Sequence, residues 1–510
     1  MQQPVIELHP NDDVWIARHQ LLGGQPLPGA VTARGLIPAG HKIARRALQP
    51  GDPVRRYNQI IGFASRPIAS GEHVHGHNLG LGSSKGQLVR DYAMGSDVRS
   101  EPPREHATFD GLVRADGRIA TRNYIGVLST VNCSATVAHA IAAHFSRMHR
   151  PQALQNFSAV DGVVAITHGT GCGMDVQGQG MRVLQRTLAG YARHANFAAV
   201  LVVGLGCEGN QVAAWLENSH LTEADSLRTF NIQDSGGTSA TVAAGIELIQ
   251  QLLPKAQQVR RTPCDVAHLT LGLQCGGSDG YSGVSANPAL GVAADRLVAH
   301  GATVVLSETP EIYGAEHLLT RRAVNAEVGN RLLERIRWWE QYTAMHGGEM
   351  DNNPSPGNKA GGLTTILEKS LGAVAKGGSS NLQAVHEYAE ALHTKGLVFM
   401  DTPGYDPVSV TGQVAGGANL VAFTTGRGSA YGCAPAPSLK LATNRALAQR
   451  QADDIDIDCG GIVLGECSVA EMGEHIFQTL LRTASGVQTR SEHHGYGQNE
   501  FVPWQLGAVM

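Results

Sequence analysis

Along the first eighty or so residues, short apolar runs alternate with turns. The runs VIEL, VWIARHQ, KIARRAL and IIGFASRPI are separated by Pro26-Leu27-Pro28-Gly29, Ala39-Gly40, Pro50-Gly51 and Ser70-Gly71. Runs of this length between Gly and Pro predict a small all-β unit over residues 1–82. From 83 to 108 the chain turns to GSSK, mixed charge and EPPREH, the composition of a linker.

From about Phe109 the pattern changes. Uninterrupted apolar runs recur at 123–130 (NYIGVLST), 163–168 (VVAITH), 198–205 (AAVLVVGL), 269–273 (LTLGL), 302–308 (ATVVLSE), 396–401 (GLVFMD), 420–425 (LVAFTT) and 461–466 (GIVLGE). Between them lie helix-like segments such as SATVAHAIAAHF and NPALGVAADRLVAHG. Strands apolar on both faces, alternating with helices, predict parallel sheets covered by helices. The polar stretch PKAQQVRRTPCD divides this region. The expected class is therefore α/β: the β unit and linker, then Rossmann-like parallel-sheet units at 109–262 and 263–510. A chain of 510 residues exceeds what one core normally holds, which agrees with several units.

Composition narrows the function more than the fold. The formal net charge is −4, charged residues make up 16%, and there is no basic run with interleaved aromatics. Nucleic acid is thereby disfavoured as a partner. No apolar stretch reaches the roughly 18 residues that span a bilayer, and MQQPVIELHPNDD lacks the pattern of a signal peptide. A cytoplasmic protein acting on a small molecule is expected, with a homo-oligomer left open. The eight cysteines are scattered, as free thiols or ligands would be and a disulfide scaffold would not. Glycine is in excess, 62 of 510 against a usual ~7%, and it clusters just after the apolar runs.

Those strand ends carry the candidate chemistry. Cys133 follows the first run in Val131-Asn132-Cys133-Ser134, and His168 leads into Gly-Thr-Gly-Cys172. Cys207 stands in Gly206-Cys207-Glu208, and Cys275 in Gln274-Cys275-Gly-Gly-Ser278-Asp279. Ligands of open parallel sheets bind at the carboxyl ends of strands, so four cysteines distant in sequence are expected to converge there. A second constellation is Glu72-His73-Val74-His75-Gly76-His77. On a strand, the period of two would place His73, His75 and His77 on one face, a set suited to a divalent transition metal. Lys359, after Asn358 in NPSPGNKAGG, and Arg427, after Thr425 in TTGRGSAYG, are the expected anion-binding cations. Glu308 and Glu311 lie just past another run and are candidate acid–base carboxylates.

The strings TRNYIGVLSTVNCSA, GLGCEGNQ, LQCGGSDGYSGVSANPALG, NPSPGNKAGGLTT and FTTGRGSAYG closely resemble the altronate/galactarate dehydratase family. The segments GHKIA and GEHVHGHN resemble the antifreeze-like β-clip (SAF) domain that precedes its catalytic part. The resemblance implies a hydro-lyase that converts a sugar acid to its 2-keto-3-deoxy product with ferrous iron or a similar ion, Mn²⁺ being an alternative. Within it, His75, His168, Lys359 and Glu308 are the expected catalytic groups. Arg122, Asn123, Ser278, Asp279, Asn358, Lys359, Thr425 and Arg427 are the expected substrate contacts. The metal has two expected homes: a single ion on His73, His75 and His77, or an iron–sulfur cluster or iron on Cys133, Cys172, Cys207 and Cys275. A sulfo-lyase acting on a sulfonated hydroxy acid and a non-catalytic sugar-acid-binding protein are the alternative readings.

Overall fold

A computed structural model describes residues 3–82, 92–100 and 105–507. Most of the expected linker, 83–91 and 101–104, lies outside the described residues. The first unit is all antiparallel β. Strands β1 (Val5–Ile6), β2 (Val14–Ala17), β3 (Lys42–Ala44) and β6 (His73–Val74) form one sheet in the order β1-β2-β3-β6. Strands β4 (Pro53–Arg56), β5 (Gln59–Ala64) and β7 (Leu79–Gly80) form a second. Trp15, Leu21, Ile37 and Ile43 fill the space under the first sheet.

The described part of the linker stretch is tied down, for Gly95 and Asp97 donate backbone hydrogen bonds to the carbonyls of Thr320 and Arg321. The chain then enters and leaves its middle part through neighbouring strands. β8 (Thr108–Val113) pairs antiparallel with both β9 (Ile119–Ala120) and β14 (Arg261–Asp265). The polar divide PKAQQVRRTPCD is thus partly strand, held by backbone pairing that its composition does not announce.

Two parallel sheets follow. The middle one holds β10 (Tyr124–Ser129), β11 (Gly162–Ile166), β12 (Phe197–Gly204) and β13 (Leu227–Asn231) in the order β11-β10-β12-β13. The larger one holds β15 (Thr270–Cys275), β16 (Thr303–Leu306), β17 (Leu382–His386), β18 (Gly396–Met400), β19 (Leu420–Thr425), β20 (Ser438–Ala442) and β21 (Ile457–Asp458). Its order is β17-β18-β16-β15-β19-β20-β21, every neighbouring pair parallel. Seven of the eight apolar runs become strands. The eighth, GIVLGE, does not: Gly460–Val463 is a short helix. Two glycines begin it, and the Asp458 carboxylate accepts from the Gly460 N–H, so the backbone turns where a strand would continue. Among the described residues no helix is long and apolar enough to cross a membrane.

The first unit sits on the larger sheet's loops. Val14, Val54, Ile61 and Val74 share one core with Leu271, Leu273 and Leu371. Tyr281 Oη donates to the carbonyls of Ala17 and Arg18, and Thr365 Oγ1 donates to that of Ile61. Gly280 and Gly362 both lie against the Gly40 carbonyl, where a side-chain carbon would collide. Through this seam runs a fully buried ion pair network. Lys42 Nζ meets Glu368 at 2.9 Å, and Arg56 binds the other carboxylate oxygen. Glu368 stands in the first turn of helix Ile366–Ala375, whose N-cap is Thr365.

Candidate active site

In an open parallel sheet the crevice forms where successive connections leave in opposite directions. In the larger sheet that point lies between β15 and β19, because β16 joins one side of β15 and β19 the other. The loops after these strands are laced together. Gly426 and Arg427 donate backbone hydrogen bonds to the Gly277 carbonyl, and Gly280 donates to Gly361. Asn358 Nδ2 donates to the Ser278 carbonyl at 2.9 Å, drawing the NPSPGNKAGG turn onto the same edge.

Beneath this edge lies a buried cluster of charge. Cys275 ends β15, and Glu308 and Glu311 follow β16. Their ligating atoms lie within 4.8 Å of one another, and among the described residues theirs is the one such trio of His, Cys, Asp or Glu. Two lysines on helix Ile366–Ala375 and its C-cap face them. Lys376 Nζ reaches Cys275 Sγ at 2.8 Å and Glu308 at 3.7 Å. Lys369 Nζ reaches Glu311 at 2.7 Å and Asn353 Oδ1 at 2.9 Å, while Asn353 Nδ2 donates to Glu311 at 2.7 Å. Asp406 accepts from Gln274 Nε2 at 3.2 Å, beside Gly276.

The electrostatics of this cluster are uneven. Burial, then Glu311, pushes the Glu308 carboxyl well above its ordinary range. Neither of its oxygens accepts a hydrogen bond. Burial and Glu311 lift Asp406 to about 6. Burial pushes the Cys275 thiol up to about 11 despite Lys376 beside it. The backbone of Glu308 is also held in the left-handed region, φ 70° and ψ 68°, with its N–H donated to Thr402 Oγ1. For a residue with a side chain this conformation carries strain that the surrounding packing must maintain. A buried carboxylate with no donor is costly unless something else satisfies it. Two carboxylates and a thiol around that gap fit a divalent cation such as Fe²⁺ or Mn²⁺ by donor chemistry.

The histidines gather at the seam above. β6 covers only His73–Val74, and the chain then turns, with Asn78 and Leu79 both donating to the His75 carbonyl. The expected three-residue strand face is therefore absent. The turn still brings the rings together and adds His41 to them. His41 Nδ1 lies 2.9 Å from His73 Nε2, and neighbouring ring centroids are 5.1–5.5 Å apart. His75 Nε2 donates to the Lys359 carbonyl at 2.8 Å, so the cluster borders the anion-binding turn. Among the described residues no imidazole trio matches the close donor spacing of the Cys275 centre.

This cluster sets a pH dependence. Burial, then the neighbouring histidines, lowers His41 to about 4 and His73 to about 3, against 6.5 for a free ring. Between pH 6.5 and about 4 the unfolded chain therefore binds protons that the folded chain refuses. The stability these rings provide is complete above pH 6.5 and is lost as pH falls through that window. A His41→Asn/His73→Asn variant should show a shallower fall in urea midpoint across the same window. An unchanged slope would place the acid sensitivity elsewhere.

Other expected site residues are used by the structure in other ways. Arg122 and Asn123 precede β10, at the opposite end of the sheet from its ligand-binding edge. Buried Arg122 pairs with Glu492 and the carbonyls of Thr483 and Val487, while Asn123 is bonded to Asp161, Ala159 and Ala256. His168 has both ring nitrogens engaged, Nε2 with the Ser129 carbonyl and Nδ1 with Thr170, and burial lowers it to about 4. It braces two strand ends and has no nitrogen left for a substrate proton. Asp279 spends both oxygens on Thr443, Ser282, Asn444 and the Tyr281 N–H, and Asn358 caps its own turn. Thr425 Oγ1 accepts from the Gly428 N–H. These three shape the loops, whereas Lys359 and Arg427 remain exposed at the rim and Ser278 is buried between them. The four cysteines are divided between the two parallel sheets. Cys275 belongs to the larger sheet and is buried, while Cys133, Cys172 and Cys207 belong to the middle sheet and are exposed.

Lys369, Lys376, Asp406, Asn353 and His41 were not singled out from the sequence. A signal for the lysines was present, since ILEKSLGAVAK puts two ammonium groups seven residues apart on a helix whose other charged residue is Glu368. That spacing is two helical turns, hence one face.

Comparison with known proteins agrees with this architecture. The model of the altronate/galactarate dehydratase SAF domain matches residues 3–81, that of the D-galactarate dehydratase/altronate hydrolase second domain matches 111–257, and that of the D-galactarate/altronate dehydratase C-terminal part matches 266–509. The chain is 33% identical to altronate dehydratase of Bacillus subtilis (strain 168) over 495 residues, 96% of this chain and 97% of that protein. It is 37% identical to galactarate dehydratase (L-threo-forming) of Escherichia coli (strain K12) over 490 residues, 94% and 92% of the two chains. It is also 32% identical to (2R)-sulfolactate sulfo-lyase subunit beta of Chromohalobacter salexigens over 408 residues, 78% of this chain and 97% of that one. With matches of this extent to each of its three parts, the chain belongs to the altronate/galactarate dehydratase family and is a sugar-acid hydro-lyase of that type.

Proposed function

We propose that the protein removes water from an aldonate or aldarate such as altronate or galactarate, giving a 2-keto-3-deoxy acid at the Cys275–Glu308–Glu311 centre. The observation that carries this reading is Glu308, a buried carboxylate without a hydrogen-bond donor, beside a second carboxylate and a thiol. Cys275, Glu308 and Glu311 would hold Fe²⁺ or Mn²⁺, which supplies a Lewis acid for the negative charge that grows on the substrate carboxylate. Lys369 and Lys376 keep the acidic cluster from excess negative charge.

The remaining work falls to residues at the rim. Lys359 and Arg427 receive the acid groups, each charge-assisted contact being worth about 1.5–3 kcal/mol. His75 has Nε2 tied to the Lys359 carbonyl, which orients Nδ1 to take the proton from the carbon next to the carboxylate. Asp406, held at about 6, delivers a proton to the hydroxyl that leaves the next carbon. The enol then tautomerises to the 2-keto acid. The β unit, docked over these loops, keeps bulk water from the charged centre.

The test is an anaerobic assay of the purified protein with Fe²⁺ and thiol, offered altronate, galactarate and sulfolactate separately. A 2-keto-3-deoxy acid from one of the sugar acids is expected. Sulfite from sulfolactate, with no keto acid from the others, would move the protein to the sulfo-lyase reading that its match to the subunit beta favours.

A further inference from the structure

We propose that Cys133, Cys172 and Cys207 form a second inorganic site, distinct from Cys275, that holds an iron–sulfur cubane on three thiolates. The middle sheet has its own switch point, between β10 and β12, because β11 lies on one side of β10 and β12 on the other. Cys133 follows β10, Cys172 follows β11 and Cys207 follows β12, so the three stand on adjacent loops at one carboxyl edge.

The loops are locked together by buried polar groups. Asn132 N–H donates to the Thr170 carbonyl, and Asn210 N–H to the Gly171 carbonyl. Asn210 Nδ2 donates to the Thr130 carbonyl at 3.0 Å. Buried Glu208 accepts from Thr130 Oγ1, Leu205 N–H and Gly206 N–H at 2.9, 3.1 and 2.6 Å. His168 adds its bond to the Ser129 carbonyl. Gly171, at φ 98°, packs so closely on Thr130 that a side chain would collide. All this rigidity ends in three exposed cysteines.

Free cysteine is among the most buried residue types. Here the three cysteines classed as exposed, out of eight, are the three on this edge. They do not qualify as a site for one ion, since their sulfurs do not all lie within 4.8 Å of one another. A cubane spreads its thiolates over different irons and accommodates the wider spacing. Gln233 Nε2 donates to Cys207 Sγ at 3.2 Å, the type of contact that tunes a cluster sulfur. Assembly takes ferrous and ferric iron with sulfide, releases the three thiol protons and leaves one iron without a cysteine, open to solvent.

The test is anaerobic reconstitution of the full chain with ferrous and ferric salts and sulfide. Brown thiolate-to-iron absorbance is expected, with acid-labile sulfide bound and iron matching it beyond the ion held at the Cys275 centre. The Cys133→Ser/Cys172→Ser/Cys207→Ser variant should lose the absorbance and the sulfide while keeping that ion, and Cys275→Ser should keep the absorbance and the sulfide. In the unaltered protein, reconstitution should also protect these three cysteines from alkylation, read peptide by peptide. Absence of acid-labile sulfide after reconstitution, a cluster retained by the triple variant, or undiminished alkylation of the three cysteines would each overturn the proposal.

Discussion

Glu308→Gln is expected to lower kcat by about a thousandfold while leaving the fold as stable as before or slightly more so. The substitution keeps the shape of the side chain and removes its charge. Glu308 makes no hydrogen bond that the folded state would miss, and burial already opposes its ionisation. Losing the charge therefore removes a cost from the folded protein. What the carboxylate would supply is reactivity, as a ligand to the divalent ion beside Cys275 and Glu311. Removing one group that helps stabilise developing charge in an active site costs about 10²–10³ in rate. The left-handed backbone at this position is in keeping with a site where geometry is maintained for chemistry at a cost in stability. The measurement is kcat at saturating sugar acid with Fe²⁺, beside a urea denaturation curve. Retention of kcat within a few-fold would remove Glu308 from the site.

The largest effect on stability is expected at Glu368. Glu368→Gln would leave Lys42 and Arg56 buried with no countercharge, and breaking such a network costs about 3–5 kcal/mol. Burial by itself would raise the Glu368 carboxyl, but Lys42 and Arg56 outweigh it and hold it down to about 2. Lys42 points the other way. It is lowered to about 8, because burial costs its ammonium more than Glu368 returns and Arg56 repels it. The carboxylate's direction is the one that governs the seam, since two cations and Thr364 converge on that single group. This stabilisation is complete above pH 4.5 and is lost as pH falls toward 2. The check is the urea midpoint of the full chain at pH 7. Replacing Lys42, Arg56 and Glu368 together by Met should cost much less than the single change, because no charge is then stranded. Equal midpoints for Glu368→Gln and the unaltered chain would mean that the network does not hold the β unit in place.

Much of the framework is legible from local pattern. Doubly apolar runs such as AAVLVVGL become central parallel strands because both their faces are covered, and Gly-rich strand ends become loops for the same local reason. Short strands at Leu227–Asn231 and Ser438–Ala442 escape notice because their composition is mixed and pairing with neighbours sustains them. GIVLGE misleads in the opposite direction, being apolar enough for a strand but opened by two glycines that let it turn.

The sequence by itself determined the α/β class and the strand-end placement of Cys133, Cys172, Cys207 and Cys275, because these depend on residues close together in the chain. It also placed Glu308 and Glu311 just past a strand. Only the tertiary structure decided which loops meet. The polar divide already separates Cys275 from Cys133, Cys172 and Cys207 along the chain, and strand order then set those three on adjacent loops of the middle sheet. Pairing of β3 with β6 inside the β unit joined His41 to His73 and His75, and docking of that unit buried Lys42 against Glu368, more than three hundred residues away. Lys369 and Lys376 became a counterweight to Glu308 and Glu311 only when their helix was laid against them, for long-range electrostatics is set by where folding brings the groups.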